Sequence, residues 1–76
     1  MKEYLQEIIR PLVEHSREVQ VSAVEGQKTS ILEMRCNARD VGRVIGKNGK
    51  TINAIRTLLD AAARRNNRQA VMEVVE

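Results

Sequence analysis

Residues 44–51 read VIGKNGKT, and the fold turns on whether these glycines cradle a nucleotide or bend the chain between two helices. A nucleotide-triphosphate loop needs GxxxxGK[ST] after a buried strand, which would require glycine at position 44, where the chain has Val44. The dinucleotide fingerprint GxGxxG fails at the same place. The preceding NARDVGRVI reads as a capped helix and not as a strand, with Asn37 as N-cap and Asp40 placed for the return bond of a capping box. Beyond the turn, Ile52, Ile55, Leu58, Leu59 and Ala62 recur at helical spacing. The stretch therefore reads as helix, tight GxxG turn, helix. Gly46 and Gly49 let the backbone reverse within about four residues, and their lack of side chains lets another backbone come close.

Charge gathers around this turn. Residues 1–40 carry six bases against seven acids, a net −1, whereas residues 41–76 carry seven bases against three acids, a net +4. Between Asp40 and Asp60 there is no acid, while Arg43, Lys47, Lys50 and Arg56 surround GKNG. A cationic island of this kind points to a polyanion as partner. The amides that open the helix near Lys50 add partial positive charge, which suits a phosphate.

The flanking chain supplies the remaining elements. Tyr4, Leu5, Ile8, Ile9, Leu12 and Val13 mark an amphipathic helix from Met1 to about Glu14, with Pro11 inside it predicting a kink or a break into two pieces. VQVSAVE alternates as a half-buried strand, EGQK turns the chain with Gly26 free to take positive φ, and Ser30 to Cys36 alternates again, so the two strands form a hairpin. Asn66 and Asn67 end the long helix, and Ala70 to Val75 forms a third strand. The order α β β α α β gives an α+β fold, three helices on one face of a three-stranded mixed sheet, with the strands flanking the helix pair parallel if adjacent. The other sheet face shows Val24, Ile31, Val71 and Val75 among polar residues, either as a tolerated surface or as part of a dimer contact.

Several classes of protein drop out on composition. Seventy-six residues make one domain, since a chain this short buries only about 60% of its unfolded surface. No apolar run approaches the length of a membrane-spanning helix, and acids interrupt the amino-terminal segment, so neither a membrane protein nor a secretory signal is expected. Cys36 is the only cysteine, read as a small buried hydrophobe, and the lack of a disulfide suits a cytoplasmic protein. His15 is the only histidine, read as a partly exposed residue at a helix end, so no metal site is expected. No acid, histidine or thiol stands with a partner near the glycines, which argues against an enzyme.

VIGKNGKTINAI matches the pattern apolar, apolar, Gly, x, x, Gly, x, x, apolar, x, x, apolar of KH domains, modules that bind RNA and single-stranded DNA. The element order resembles the type II form, in which an α β extension precedes the core β α α β. Chain length and the phrase VGRVIGKNGKTINAIRTLLDAAA are similar to the small bacterial single-KH proteins of the KhpA type. The resemblance implies one KH domain over residues 1–76, with the extension at 1–26 and the core at 29–76. It implies a clamp at Gly46, Lys47, Asn48 and Gly49 around the backbone of about four unpaired nucleotides. The bases would lie in an apolar groove between the helix pair and a sheet edge, with Val44, Ile45, Ile52 and Ile55 as candidates for its floor; Ile52 and Ile55 also suit core packing. Arg43 and Lys50 add charge, and Arg56 either reaches the strand or is merely solvated.

The expected function is non-enzymatic binding of single-stranded RNA, in the service of an RNA chaperone or post-transcriptional regulator, without a cofactor; the alternative is an assembly module in which RNA contact is secondary. Single-stranded DNA is a further candidate ligand. KhpA-type proteins are associated with homodimers and with a second, larger KH protein, so either pairing is expected. Tyr4 is the only aromatic residue, so the bases lack a stacking platform and binding should be weak and salt-sensitive, with pairing raising the effective affinity.

Overall fold

The computed structural model describes residues 1–75. Helix α1 spans Lys2–Ile9 and ends where Pro11 removes an amide donor, the chain continuing as a 3-10 turn over Arg10–Leu12. The expected break at Pro11 is thus present. A second 3-10 turn, Ser16–Glu18, leads into strand β1 (Gln20–Glu25), which pairs antiparallel with β2 (Thr29–Arg35). A 3-10 turn at Ala38–Asp40 then opens onto helix α2 (Val41–Ile45). The GxxG turn leads into helix α3 (Lys50–Arg64), and strand β3 (Gln69–Val74) closes the sheet parallel to β2 in the order β1-β2-β3.

Period-two alternation along the strands decides which side chains meet the helices. On the inner face Val21 pairs with Met34, and Ala23 with Leu32, which in turn lies beside Met72. Leu5 and Ile9 of α1, Val44 of α2, and Ile52, Ile55 and Leu59 of α3 pack onto this surface. Each such side chain contributes about 1.5–3 kcal/mol when fully withdrawn from water. On the outer face, register sets Val24 beside Ile31 and Ile31 beside Val71, a row 66%, 42% and 40% exposed.

Two local expectations are corrected. Gly26 does not adopt positive φ; its amide donates to the Thr29 carbonyl at 2.7 Å, and a Cβ there would lie 3.3 Å from the same oxygen. The turn is held from outside by Arg68, which donates to the carbonyls of Gly26 and Gln27 at 3.0 Å and to Ser30 Oγ at 3.0 Å. Second, Asn37 caps as expected, accepting from the Arg39 amide at 2.9 Å, but Asp40 returns no bond to it. The Asp40 carboxylate faces inward and accepts the Glu14 amide at 3.1 Å and the His15 amide at 3.0 Å. Two main-chain donors from a segment with no ladder of its own outweigh the single bond that a capping box supplies.

Candidate nucleic-acid interface

Helix α2 stops because Gly46 leaves helical space, at φ 75° and ψ 173°, a region essentially restricted to glycine. Asn48 and Gly49 follow with φ of 58° and 74°, and helical geometry resumes at Lys50. Asparagine tolerates the left-handed region better than most residues, which explains its place between the glycines. The Gly46 amide closes α2 onto the Gly42 carbonyl at 2.8 Å, and the Gly49 amide donates to the Gly46 carbonyl at 3.2 Å. Among the described residues the amides of Lys47 and Asn48 have no backbone acceptor. Exposed main-chain donors beside the start of a fifteen-residue helix make a favourable seat for an anion.

The four cations of the island differ in their availability. Lys47 and Lys50 are exposed, and among the described residues neither forms an ion pair. Arg43 is committed elsewhere, with Nη2 donating to Glu14 Oε1 at 2.7 Å and Nε 3.7 Å from Asp40 Oδ1. Asp40 is 1% exposed and anchors this corner, with His15 Nδ1 also 3.0 Å from its Oδ2. A carboxylate only accepts, so His15 donates from Nδ1 here. Burial works against the charge on Asp40, but the bonds from the Glu14 and His15 amides and the His15 ring outweigh it and lower its pKa. His15, expected to be of little consequence, therefore helps tie the amino-terminal segment to the start of α2. Its partner Asp40 lies 25 residues away, beyond the reach of local pattern.

Beside the turn runs an open groove of about 530 Å³ between α3 and the free edge of β3, lined by Arg56, Thr57, Asp60 and Arg64 on one wall and residues 69–73 on the other. Spacings of four, three and four place Gly49, Asn53, Arg56 and Asp60 on one helical stripe, which leads from the turn to the wall of the groove. Arg56 Nη2 donates to the Met72 carbonyl at 3.3 Å across the groove, and Asp60 is paired with Arg64 at 2.8 Å. Asn53, which the sequence reading passed over, is exposed between Gly49 and Arg56; its spacing of four from Gly49 is the signal that marks it.

The four apolar candidates separate by burial. Val44, Ile52 and Ile55 belong to the core, Val44 being fully buried, while Ile45 is 37% exposed beside the turn. Tyr4 lies against Leu58, Ala61, Ala62 and Arg65, on the face of α3 turned away from the stripe. Cys36 is partly buried against the core, and burial followed by the Asp40 charge pushes its thiol pKa up. Among the described residues no group of three His, Cys, Asp or Glu side chains is placed to hold a metal ion. Nor is any of their helices long and apolar enough to cross a membrane.

A glycine-bounded turn between two helices, backed by a mixed sheet in α β β α α β order, defines a KH domain of type II. Residues 2–74 match the family model described as the KH domain of KhpA and KhpB, and the chain belongs to that family. An RNA-binding protein KhpA from Chlamydia pneumoniae is 46% identical over 100% of this chain and 97% of its own. The protein of that name from Borreliella burgdorferi is 42% identical over the whole of both chains, and that from Aquifex aeolicus 34% identical over 100% of this chain and 96% of its own.

Proposed function

We propose that this chain, acting as one KH unit over residues 1–76, binds single-stranded RNA with the sugar-phosphate backbone against Gly46–Gly49 and the bases along the α3–β3 groove. The carrying observation is the conjunction at the turn: among the described residues, two amides without a backbone acceptor and two lysines without a carboxylate, and no Cβ at either glycine. The name its relatives carry, RNA-binding protein KhpA, supports the same ligand. In this reading Lys47 and Lys50 neutralise phosphates, Asn48 presents its amide, Ile45 offers apolar contact and Arg56 serves the groove. Val44 and Arg43 support the turn from beneath and beside it, Arg43 through Glu14.

The role is non-enzymatic and cytoplasmic, that of an RNA chaperone or post-transcriptional regulator. Single-stranded DNA offers the turn the same phosphates, so discrimination falls to contacts in the groove. Binding of a short unstructured RNA by wild type and by Lys47→Asp with Asn48→Asp tests the clamp. Asp is tolerated at left-handed φ, so the fold persists while two carboxylates face phosphate; affinity should fall tenfold or more. Unchanged affinity rejects the clamp.

A second reading, assembly through a homodimer or with a second KH protein, rests on the aligned row Val24, Ile31 and Val71. It requires that Ile31→Asp abolish self-association while RNA affinity per protomer is kept.

A further inference from the structure

The segment 10–18, RPLVEHSRE, carries two arginines and two glutamates around one histidine and looks neutral as a string. Folding separates its charges. Glu14 is drawn to Arg43 at 2.7 Å, and both oxygens of Glu18 accept from Asn37 Nδ2, at 3.2 and 3.1 Å. His15 turns toward Asp40. The acids are thereby engaged with the chain around α2, while Arg10 and Arg17 are left exposed, and among the described residues neither arginine forms an ion pair or a side-chain hydrogen bond.

These two arginines and Ser16 line one cleft of about 330 Å³ over the buried Val19. Each guanidinium is a planar fork of donors that matches two phosphate oxygens, and the serine hydroxyl supplies a further donor. Four arginines have protein acceptors: Arg43 holds Glu14, Arg56 the Met72 carbonyl, Arg64 Asp60, and Arg68 the turn after β1. Among the described residues Arg10 and Arg17, like Arg35, Arg39 and Arg65, have none, and what sets Arg10 and Arg17 apart is that the two line one concavity.

We infer that the Arg10–Ser16–Arg17 cleft is a second phosphate site, which takes the backbone of an RNA strand beyond the nucleotides held at Gly46–Gly49. This rests on the RNA-binding reading of the turn. Hydrogen bonds from residues 14 and 15 to Asp40, just before α2, attach the cleft to the element that ends at the turn. The cleft extends the footprint of a domain whose groove has no aromatic stacking, and it does so with two cations and a hydroxyl.

The test compares wild type, Arg10→Ala with Arg17→Ala, and Lys47→Asp with Asn48→Asp, each on unstructured RNAs of about four and about twelve nucleotides over a range of salt. Both arginines are exposed and have no side-chain bond among the described residues, so their removal should leave the melting temperature unchanged. For the arginine variant, affinity for the longer RNA should fall on the order of tenfold, and its salt slope should flatten by about 1.4, two phosphates at roughly 0.7 each. Affinity for the shorter RNA should stay at the wild-type value. An unchanged slope and affinity on the longer RNA overturn the second site. An equal loss on both lengths overturns it as a separate site. If the aspartate variant binds both RNAs as wild type does, the clamp reading fails and this proposal fails with it; if only the arginine variant is silent, the clamp stands alone. Inorganic phosphate in excess should compete weakly, whereas polyglutamate of equal charge competing as well as RNA would assign the cleft to an acidic protein and overturn the proposal.

Discussion

Gly46 turns its Cα onto the first turn of α3, so that a Cβ there would collide with the Thr51 side chain and stand 2.9 Å from the Thr51 amide nitrogen. The turn is as tight as it is because this contact brings α2 and α3 together at backbone distance.

The two glycines should therefore respond differently to alanine. At Gly49 the nearest atom to a new Cβ is Asn53 Nδ2 at 3.7 Å, so Gly49→Ala meets only the left-handed backbone cost of about 1–2 kcal/mol. Gly46→Ala adds the Thr51 collision to a backbone conformation reserved for glycine and should destabilise by more. Denaturant midpoints should rank wild type, Gly49→Ala, Gly46→Ala, with Gly49→Asn recovering most of the loss. Equal midpoints for the two alanine variants would contradict the contact.

Asp40 should make the fold acid-sensitive. Its carboxyl titrates below the ordinary value of 3.8, because the hydrogen bonds from Glu14 and His15 overcome the burial that opposes its charge. A group with a lower pKa folded than unfolded adds stability above the unfolded value and loses it as pH falls through the folded one. Wild-type unfolding free energy should drop on acidification from about pH 5 downward. Asp40→Asn offers one acceptor where two are used, so it should be less stable at neutral pH and lose less on acidification. Two curves of the same steepness would deny Asp40 this role.

Arg68 should matter for stability and not for RNA. It is 23% exposed and joins the start of β3 to Glu25, Gly26, Gln27 and Ser30. Arg68→Ala should cost about 2 kcal/mol, lowering Tm on the order of 10 °C, and Arg68→Lys should not restore it, since an ammonium lacks the planar fork. RNA affinity measured well below the new Tm should be unchanged.

Arg56 should show the opposite pattern. It makes one long bond to the Met72 carbonyl, so Arg56→Ala should leave Tm within about a degree or two. Affinity for a short RNA should fall on the order of tenfold, with a flatter salt response. Wild-type binding by Arg56→Ala would remove the groove from the interface.

The glycine turn, the strand alternation and the break at Pro11 were legible in the sequence because each is a local property, set by missing side chains, by a period of two or by a missing donor. Partner choice among charged groups was not. Asp40 lies three residues from Asn37, and local rules assign it to the cap; the fold offers it two amides from 25 and 26 residues away. Arg43 sits in a stretch without acids, yet Glu14 reaches it from 29 residues upstream. Charge counted along the chain thus overstates the free cation near the turn at Arg43 and misses the arginines of segment 10–18, which form no ion pair among the described residues.

The helix pair that carries the turn is also the whole connection between β2 and its parallel neighbour β3. Parallel neighbours close a long stretch of chain before their contacts repay the entropy, which makes this docking a late event in folding. During synthesis α2, the glycines and α3 leave the ribosome ahead of β3, without the strand that forms the far wall of the groove. The groove along α3 therefore has only one wall until β3 has emerged and docked beside β2.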